Sequence, residues 1–217
     1  MMLKEPVLNR IKQGPYKVWM PIDFCDLGNR SIIDKTLQRL THSNELRRID
    51  RGFYDKPNMN VLTGQANAPD YHAIIDAVAR RDQVRILLDG MTCANDLGLT
   101  NAVPGQVVVL TDGRLRPITI DNLTIHFKLT APSKLYWAGR PGMRIIQSLY
   151  WLGDIFKKDE EAQKDIFKKL SALLINSDKG NEICADIKAG LQTLPIWMQD
   201  FLKELLLFVK NNMAKQQ

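Results

Sequence analysis

Cysteine, histidine and long apolar runs are all scarce in this 217-residue chain. Its three cysteines, Cys25, Cys93 and Cys184, lie far apart and form no C-x-x-C pair, which argues for reduced thiols rather than a disulfide framework. The histidines show no H-x-x-x-H spacing, so we expect no metal site. No stretch approaches the ~18 apolar residues of a membrane helix, and the start does not resemble a secretory signal. We therefore expect a cytoplasmic protein with no membrane partner.

Motifs of the common enzyme classes are absent as well. The sequence has no G-x-x-x-x-G-K-[ST], G-x-G-x-x-G, G-x-S-x-G or H-E-x-x-H motif and no Asp-x-Asp pair, which are typical of nucleotide, hydrolase and metal chemistry. The segment 139–142 before a helix could hold a phosphate on its amides, but a plain turn explains it more simply. We predict no catalytic site and no cofactor. The alternative, an enzyme built from residues 61–155, would require a deep polar pocket with converging carboxylates.

Positive charge is concentrated near the start of the chain. The net charge is +6 in all, and residues 1–60 hold 11 lysines and arginines against 7 acidic residues. The last 62 residues contain ten lysines and no arginine. Arginine's planar fork suits phosphate and base-edge recognition better than lysine does. A nucleic-acid site is therefore to be sought in the N-terminal region.

The first 60 residues predict three helices followed by a hairpin. A short helix runs from Pro6 to Gln13, and a second, PIDFCDL, begins at Pro21. Asn29 is predicted to cap a longer third helix from Arg30 to about Ser43. In ELRRIDRGFYD, the residues DRG form a tight turn between two short strands. This order of elements predicts a winged helix-turn-helix, the DNA-binding domain at residues 1–60.

The third predicted helix has two different faces. At 100° per residue, one face is mostly apolar and should pack on the other helices. The opposite face carries hydrogen-bonding side chains of the kind that read base edges in the major groove. A solvated surface face is the alternative interpretation. The predicted DNA-binding residues, including Arg30 at the helix start and the arginines of the hairpin, are Asn29, Arg30, Ser31, Lys35, Gln38, Arg39, His42, Arg47, Arg48, Arg51 and Tyr54.

The remainder of the chain predicts a mixed region and a helical tail. Residues 61–155 combine an amphipathic helix after Pro69 with an antiparallel meander of three strands, separated by Asp112-Gly113 and Asp121-Asn122. A helix at about 141–152 should pack against this meander. Residues 156–217 predict helices at 159–175, 178–189 and 195–213, the last with an apolar stripe for internal packing or for a partner. The overall class is α+β: a winged helix-turn-helix, a central α/β region with a small antiparallel sheet, and a helical tail.

The segment SIIDKTLQRLTHSNELRRIDRGFYDKP resembles the recognition helix and wing of AbiEi-type antitoxins. It matches the pattern L-x-R-L-x-x-x-x-x-L-x-R-I-x-R-G-x-Y at Leu37, Arg39, Leu40, Leu46, Arg48, Ile49, Arg51, Gly52 and Tyr54. CANDLGLTNAVPGQVVVLTDG is also similar to a segment of that family, A-N-x-L-G-L-T-x-x-V-P. The resemblance covers residues 5–155 and leaves the helical tail unmatched.

The resemblance implies an antitoxin of a type IV toxin–antitoxin, or abortive-infection, system. Its winged helix would repress its own promoter at inverted repeats in double-stranded DNA, with Arg39, Arg48, Arg51 and Tyr54 on the DNA side. Its partner would be a cognate nucleotidyltransferase-like toxin, counteracted directly or functionally through the C-terminal region. The alternative function is a stand-alone winged-helix transcriptional regulator whose C-terminal region senses a ligand or dimerises.

Overall fold

The computed structural model describes residues 3–102, 105–156 and 158–213. Within these residues the fold is α+β, as predicted, and it contains helices and two small sheets. In chain order the elements are α1 (Lys4–Gln13), β1 (Val18–Trp19), a 3₁₀ helix (Pro21–Phe24), α2 (Arg30–His42), β2 (Arg47–Asp50), β3 (Phe53–Asp55), α3 (Tyr71–Asp82), β4 (Ile86–Leu88), α4 (Gly90–Asp96), β5 (Val107–Thr111), β6 (Ile118–Ile120), β7 (Leu123–Leu129), a 3₁₀ helix (Pro132–Leu135), α5 (Met143–Phe156), α6 (Glu160–Asn176), α7 (Gly180–Gly190), a 3₁₀ helix (Leu191–Thr193) and α8 (Ile196–Met213).

The chain divides into two compact units. The first comprises Met1–Val84 with Arg116–Ile125, and the second comprises Arg85–Leu115 with His126–Gln217. The division into residues 1–60, 61–155 and 156–217 remains a sequence-based prediction.

The first unit begins with α1, α2 and a three-stranded sheet of order β1-β3-β2. The predicted first and third helices are present, and the Asn29 side chain accepts a hydrogen bond from the Ile32 amide at the start of α2, as a helix cap. In place of the second predicted helix there is only a 3₁₀ turn. At its start, the Met20 amide donates a hydrogen bond to the Asp23 carboxylate. The two-residue strand β1 was not predicted, because so short a run carries no periodicity.

The predicted apolar face of α2 packs into one hydrophobic cluster. Ile33 and Leu37 are fully buried, and Leu40 is 2% exposed. Their neighbours in the cluster come from α1, β1, the 3₁₀ turn and the β2–β3 hairpin, and they are Val7, Ile11, Trp19, Phe24, Leu46 and Tyr54. Each such aliphatic side chain contributes about 1.5–3 kcal/mol of burial free energy. This packing determines which side of α2 faces solvent.

Helix α3 belongs to the same unit as the N-terminal elements. Asp70 caps it by accepting hydrogen bonds from the amides of His72 and Ala73. The Arg80 guanidinium donates to the Asp23 carboxylate at 2.5 Å and to the Val18 carbonyl at 3.1 Å. These bonds tie α3 to β1 and the 3₁₀ turn, so the first unit extends beyond residue 60.

The expected meander of three strands is wrong in part. The second sheet has the order β4-β5-β7-β6, so β5 neighbours β4 and β7 rather than β6. The hairpin at Asp121-Asn122 is confirmed, since β6 pairs antiparallel with β7. No hairpin joins β5 to β6 at Asp112-Gly113, since β5 has β4 and β7 as its neighbours. The Asp112 carboxylate accepts hydrogen bonds from the amide and guanidinium of Arg85, just before β4.

Helices dominate the second unit. The four predicted helices after residue 140 appear as α5 to α8, each within about four residues of its expected bounds. Their apolar faces share one core, which includes Ile146, Leu149, Leu170, Leu202 and Leu205. The apolar stripe of α8 thus packs mainly inside the protein. Helix α4, which the sequence did not predict, is capped by Asp89 through the Thr92 amide and hydroxyl.

The segment at 139–142 is a structural turn. The Gly142 amide donates to the Asp186 carboxylate at 2.9 Å, and the Arg140 guanidinium donates to the same carboxylate. That carboxylate occupies the position an anion would need, which favours the turn over a phosphate site. Val103-Pro104, part of the segment similar to the antitoxin family, lies outside the described residues.

Two further features concern metals and membranes. Among the described residues, no cluster of three or more His, Cys, Asp or Glu side chains is placed to hold a metal ion. None of the helices in the described part of the chain combines the length and apolar character needed to span a membrane.

We predict that Gly90→Ala destabilises the protein. A Cβ at this position would overlap the Gln147 carbonyl oxygen and would lie 2.6 Å from Trp151 Cβ, so α4 and α5 would have to separate. We expect a loss of about 1–3 kcal/mol in the free energy of unfolding, measured by urea denaturation. The control is Gly105→Ala, where a Cβ meets nothing within 4 Å and a change within about 0.5 kcal/mol is expected. Equal effects of the two substitutions would contradict the close approach of α4 to α5.

Candidate nucleic-acid interface

The polar face of α2 is exposed, as predicted. Ser31, Lys35, Gln38 and His42 all lie on the solvent side of the helix, opposite the buried face. Asn29 is used as the helix cap, and its side-chain oxygen also accepts a hydrogen bond from the Ser31 hydroxyl at 3.3 Å. The face therefore presents long and short hydrogen-bonding side chains on a rigid helix.

A polar cleft of about 470 Å³ lies between α2 and the turn of the β2–β3 hairpin. It is lined by Pro21, Arg30, Asp34, Gln38, Thr41, Arg48, Arg51, Gly52 and Tyr54. Five of these residues were predicted as DNA-binding from the sequence, and they come from two elements that are separate in the chain. Packing of the hairpin beside α2 thus brings helix and hairpin side chains to one surface.

A β-bulge decides how the hairpin arginines point. Arg48 pairs with Tyr54, whereas Asp50 pairs with Phe53, so Ile49 is an extra residue in β2. A bulge interrupts the alternation of side chains along a strand, so the directions of the hairpin arginines do not follow from a period of two. Arg48 is exposed and lines the cleft.

The turn of the hairpin presents a second arginine. Arg51 is exposed, and Gly52 has a φ of +81°, the left-handed conformation that glycine adopts without strain. Since Arg51 also lines the cleft, the tip of the hairpin adds a cation to the surface formed by α2.

Arg47 is different from the other two hairpin arginines. Its guanidinium forms a two-pronged salt bridge with Asp55, at 3.0 and 2.6 Å, and donates to the Asn67 carbonyl at 2.8 Å. The Asp55 side chain is only 11% exposed, and its hydrogen bonds raise the pKa of Arg47 above the ordinary value. We therefore correct the role expected for Arg47: it holds β2 to β3 and is not available as a free cation.

Other predicted residues occupy the edges of the surface. Arg30 pairs with Asp34 one turn along α2, with both side chains at least half exposed. Tyr54 belongs mainly to the hydrophobic cluster and is 9% exposed, although it also lines the cleft. Lys35 and Arg39 lie on the side of α2 away from the cleft. They line a second cavity, to which α1 contributes Lys4.

Arg116 is a residue that the sequence analysis missed. It precedes β6, and its guanidinium contacts both carboxylate oxygens of Asp50 at 3.0 and 3.1 Å, at the end of β2. Its side chain is 62% exposed. The pair neutralises an acidic group beside the hairpin turn. No sequence signal links two residues so far apart, because their proximity depends on how β6 is placed within the first unit.

The surface as a whole carries a surplus of positive charge. Four of its cations form no ion pair with any described residue, and they are Lys35, Arg39, Arg48 and Arg51. Asp34 is its exposed acidic group on α2. Such an arrangement can bind phosphate oxygens through the cations and base edges through the amide and hydroxyl side chains.

Burial disfavours the reactive form of two of the three thiols, Cys93 and Cys184. All three cysteines are free, and burial raises the pKa of Cys93 to about 12. That thiol remains protonated at neutral pH and is a packing residue. Burial also raises the pKa of Cys184, which disfavours its thiolate, the reactive form of cysteine.

We predict that Arg47→Ala destabilises the protein whereas Arg48→Ala does not. Removing Arg47 leaves the largely buried Asp55 carboxylate without its partner, at a cost of about 1–3 kcal/mol. Arg48 is exposed, so its loss should change the free energy of unfolding by less than about 0.5 kcal/mol. Thermal and urea denaturation of both variants test this difference. A more destabilising effect from Arg48→Ala would show that the two roles are reversed.

Comparisons with known proteins identify a family and distant similarity to solved structures. The model of DUF6088, a family of unknown function, matches residues 5–179. No curated protein matches the sequence. Among solved structures, the chain is similar to a crystal structure of the RV2827C protein from Mycobacterium tuberculosis, with 14% identity, coverage of 99% of this chain and 81% of that chain, and a TM-score of 0.44. A likeness at this level supports no argument about function. Since the family model spans most of the chain, the protein belongs to DUF6088, a family of unknown function.

Proposed function

We propose that the first unit carries a winged helix-turn-helix that binds double-stranded DNA. In this proposal α2 is the recognition helix and enters the major groove, while the β2–β3 hairpin is the wing and contacts the backbone or the minor groove. The observation that carries the proposal is the cleft shared by α2 and the hairpin turn, which combines Arg30, Gln38, Arg48 and Arg51.

The order of elements supports this proposal. A helix, a short strand and a 3₁₀ turn precede α2, and a two-stranded hairpin follows it, with all three strands in one sheet. Helix α2 has 13 residues and is therefore about 20 Å long. The major groove is about 12 Å wide and admits one α-helix. A helix of this length can place side chains from about three turns against the bases.

The simpler alternative is that the polar face of α2 is only a solvated surface. Solvated helix faces commonly mix both charge signs in pairs, as Arg30 and Asp34 do here. Arg48, Arg51 and Lys35 have no such partner among the described residues. Uncompensated cations on two adjoining elements favour an anionic partner over plain solvation, and the DNA backbone supplies regularly spaced phosphates.

We predict salt-dependent binding to the DNA upstream of the protein's own gene. Electrophoretic mobility shift or fluorescence anisotropy should show an affinity that falls steeply with salt, because cations that neutralise phosphates release counterions. Arg51→Ala should weaken binding to all sequences and reduce the salt slope by about 1, whereas Gln38→Ala should reduce the preference for upstream over unrelated DNA.

The matched control is Lys12→Ala, which removes one exposed positive charge from α1, outside the cleft. This variant should retain the affinity and the salt slope of the parent protein. Binding that is insensitive to salt, or an equal loss of affinity in Lys12→Ala and Arg51→Ala, would rule out the cleft as the DNA site.

We propose further that the DNA-binding role belongs to an antitoxin and autorepressor, as the resemblance to AbiEi-type antitoxins implies. The protein would repress its own promoter at inverted repeats and counteract a nucleotidyltransferase-like toxin. The resemblance assigns four residues of α2 and the hairpin to the DNA side, and they are Arg39, Arg48, Arg51 and Tyr54. A stand-alone winged-helix regulator is the competing function, and the identity of the adjacent gene product separates the two.

We predict that co-expression with an adjacent nucleotidyltransferase rescues growth. The test uses the full chain, because a cut at residue 60 would sever α3 from the β1 contacts that Arg80 makes. A double variant, Arg48→Ala with Arg51→Ala, should lose promoter repression in a reporter assay and keep the rescue. Failure of the parent chain to rescue growth would remove the antitoxin role while leaving DNA binding to be judged by its own assay.

A further inference from the structure

An open groove of about 560 Å³ lies between helices α7 and α8 in the second unit. The two helices run in opposite directions, since the start of α7 lies beside the end of α8: a Cβ at Gly180 would lie 3.0 Å from Met213 Cε. The residues that line the groove, called here the α7–α8 groove, are Asn181, Cys184, Ala185, Lys188, Leu191, Lys203, Leu206, Leu207, Val209, Lys210 and Met213.

The floor of the α7–α8 groove is apolar. Leu206, Leu191 and Met213 are only partly buried by the core, and Leu207 at its edge is 61% exposed. Exposed leucine beside half-buried aliphatic side chains leaves apolar surface in contact with water. Covering such a surface is favourable by about 25 cal/mol per Å².

The rim of the groove is positively charged. Lys188, Lys203 and Lys210 line it, and no aspartate or glutamate is among its lining residues. The Lys203 ammonium donates a hydrogen bond to the Asp200 carboxylate at 3.2 Å. Because both side chains are exposed, this pair contributes little to stability. Lys188 and Lys210 form no ion pair with a residue in the described part of the chain. An occupant of the groove should therefore carry negative charge beside an apolar surface.

The length of the groove indicates the form of that occupant. Its lining residues extend from Asn181 on α7 to Leu191, the first residue after that helix, and from Lys203 to Met213 on α8. Each of these stretches is about 15 Å long. Apolar anchors at positions i, i+4 and i+7 of a helix extend over about 10 Å and are the usual contacts of a helix in such a groove.

We propose that the α7–α8 groove binds an amphipathic helix of a protein partner, with apolar anchors on the floor and acidic residues opposite the rim lysines. The proposal is independent of the DNA-binding proposal, because none of the lining residues belongs to the first unit. All of them also lie after residue 179, where the match to the family model ends.

The probe for this proposal is a synthetic, fluorescent, helix-stapled peptide of about four turns, with leucine at i, i+4, i+7 and i+11 and glutamate at the exposed positions. A second peptide carries lysine in place of glutamate. Anisotropy with the full chain should show at least tenfold tighter binding of the glutamate peptide, weakening as salt is raised. Lys210→Glu should weaken the glutamate peptide at least fivefold and strengthen the lysine peptide. Leu206→Glu should abolish the binding of both peptides, because it places a charge on the apolar floor.

The matched control is Lys164→Glu, which makes the same charge change at an exposed position of α6 and should leave both affinities unchanged. Lys210 is exposed and lies in the last turn of α8, so Lys210→Glu should lower the stability of the protein only slightly, through the helix dipole. Affinities are compared at a temperature at which circular dichroism shows every variant to be folded. Absence of peptide binding, equal affinity for the two peptides, or equal effects of Lys164→Glu and Lys210→Glu would overturn the proposal. Binding of dodecanoate without binding of either peptide would also overturn it and would assign the groove to a small anionic amphiphile.

Discussion

The burial of one face of α2 is the constraint on which the candidate interface depends. Ile33, Leu37 and Leu40 have almost no exposure, and they share a cluster with Val7 and Phe24. Rotating α2 about its axis would expose these side chains at a cost of about 1.5–3 kcal/mol each, so the orientation of the helix is not free to vary. The polar face is therefore held toward solvent by packing on the opposite side of the same helix. Rigidity of this kind is what a surface that reads base edges requires.

Ion pairs then determine which cations near α2 are available to a partner. Arg47 and Arg48 are adjacent in the chain, yet Arg47 is bound to Asp55 and Arg48 is exposed beside the cleft. Arg116, far away in the sequence, reaches Asp50 and removes a negative charge from beside the turn. The electrostatics of the surface thus follow from pairing rather than from the number of arginines. An acidic residue that is paired with a neighbouring cation repels a phosphate less than an unpaired one does.

The second unit uses charge differently. Its rim lysines, Lys188 and Lys210, lie next to apolar side chains on α7 and α8, whereas the cations on α2 and its hairpin accompany hydrogen-bonding groups. Lysine has a flexible stem and a point charge, and arginine has a planar fork that suits phosphate. The apolar floor and lysine rim of the α7–α8 groove suit an acidic amphipathic helix. The arginine and glutamine side chains of α2 and its hairpin suit a nucleic acid. The two proposals therefore assign chemically different ligands to the two units.

The sequence alone determined the elements whose signals are local. The structure contains the Asn29 cap, the helix predicted by the 3.6-residue periodicity from Ile33 to Leu40, the turn before Gly52 and the helices of the tail. These elements could be predicted because caps, periodicity and turn residues act within one or two turns of chain. The tertiary structure decided the rest. Strand pairing decided that β5 lies beside β7 and that a bulge forms at Ile49. Packing decided that Arg47 pairs with Asp55 and that Arg116 pairs with Asp50. These features depend on partners that are distant in the chain or on pairing register. Local propensity contains no information about such partners, since the free energy that selects them arises only when the elements pack.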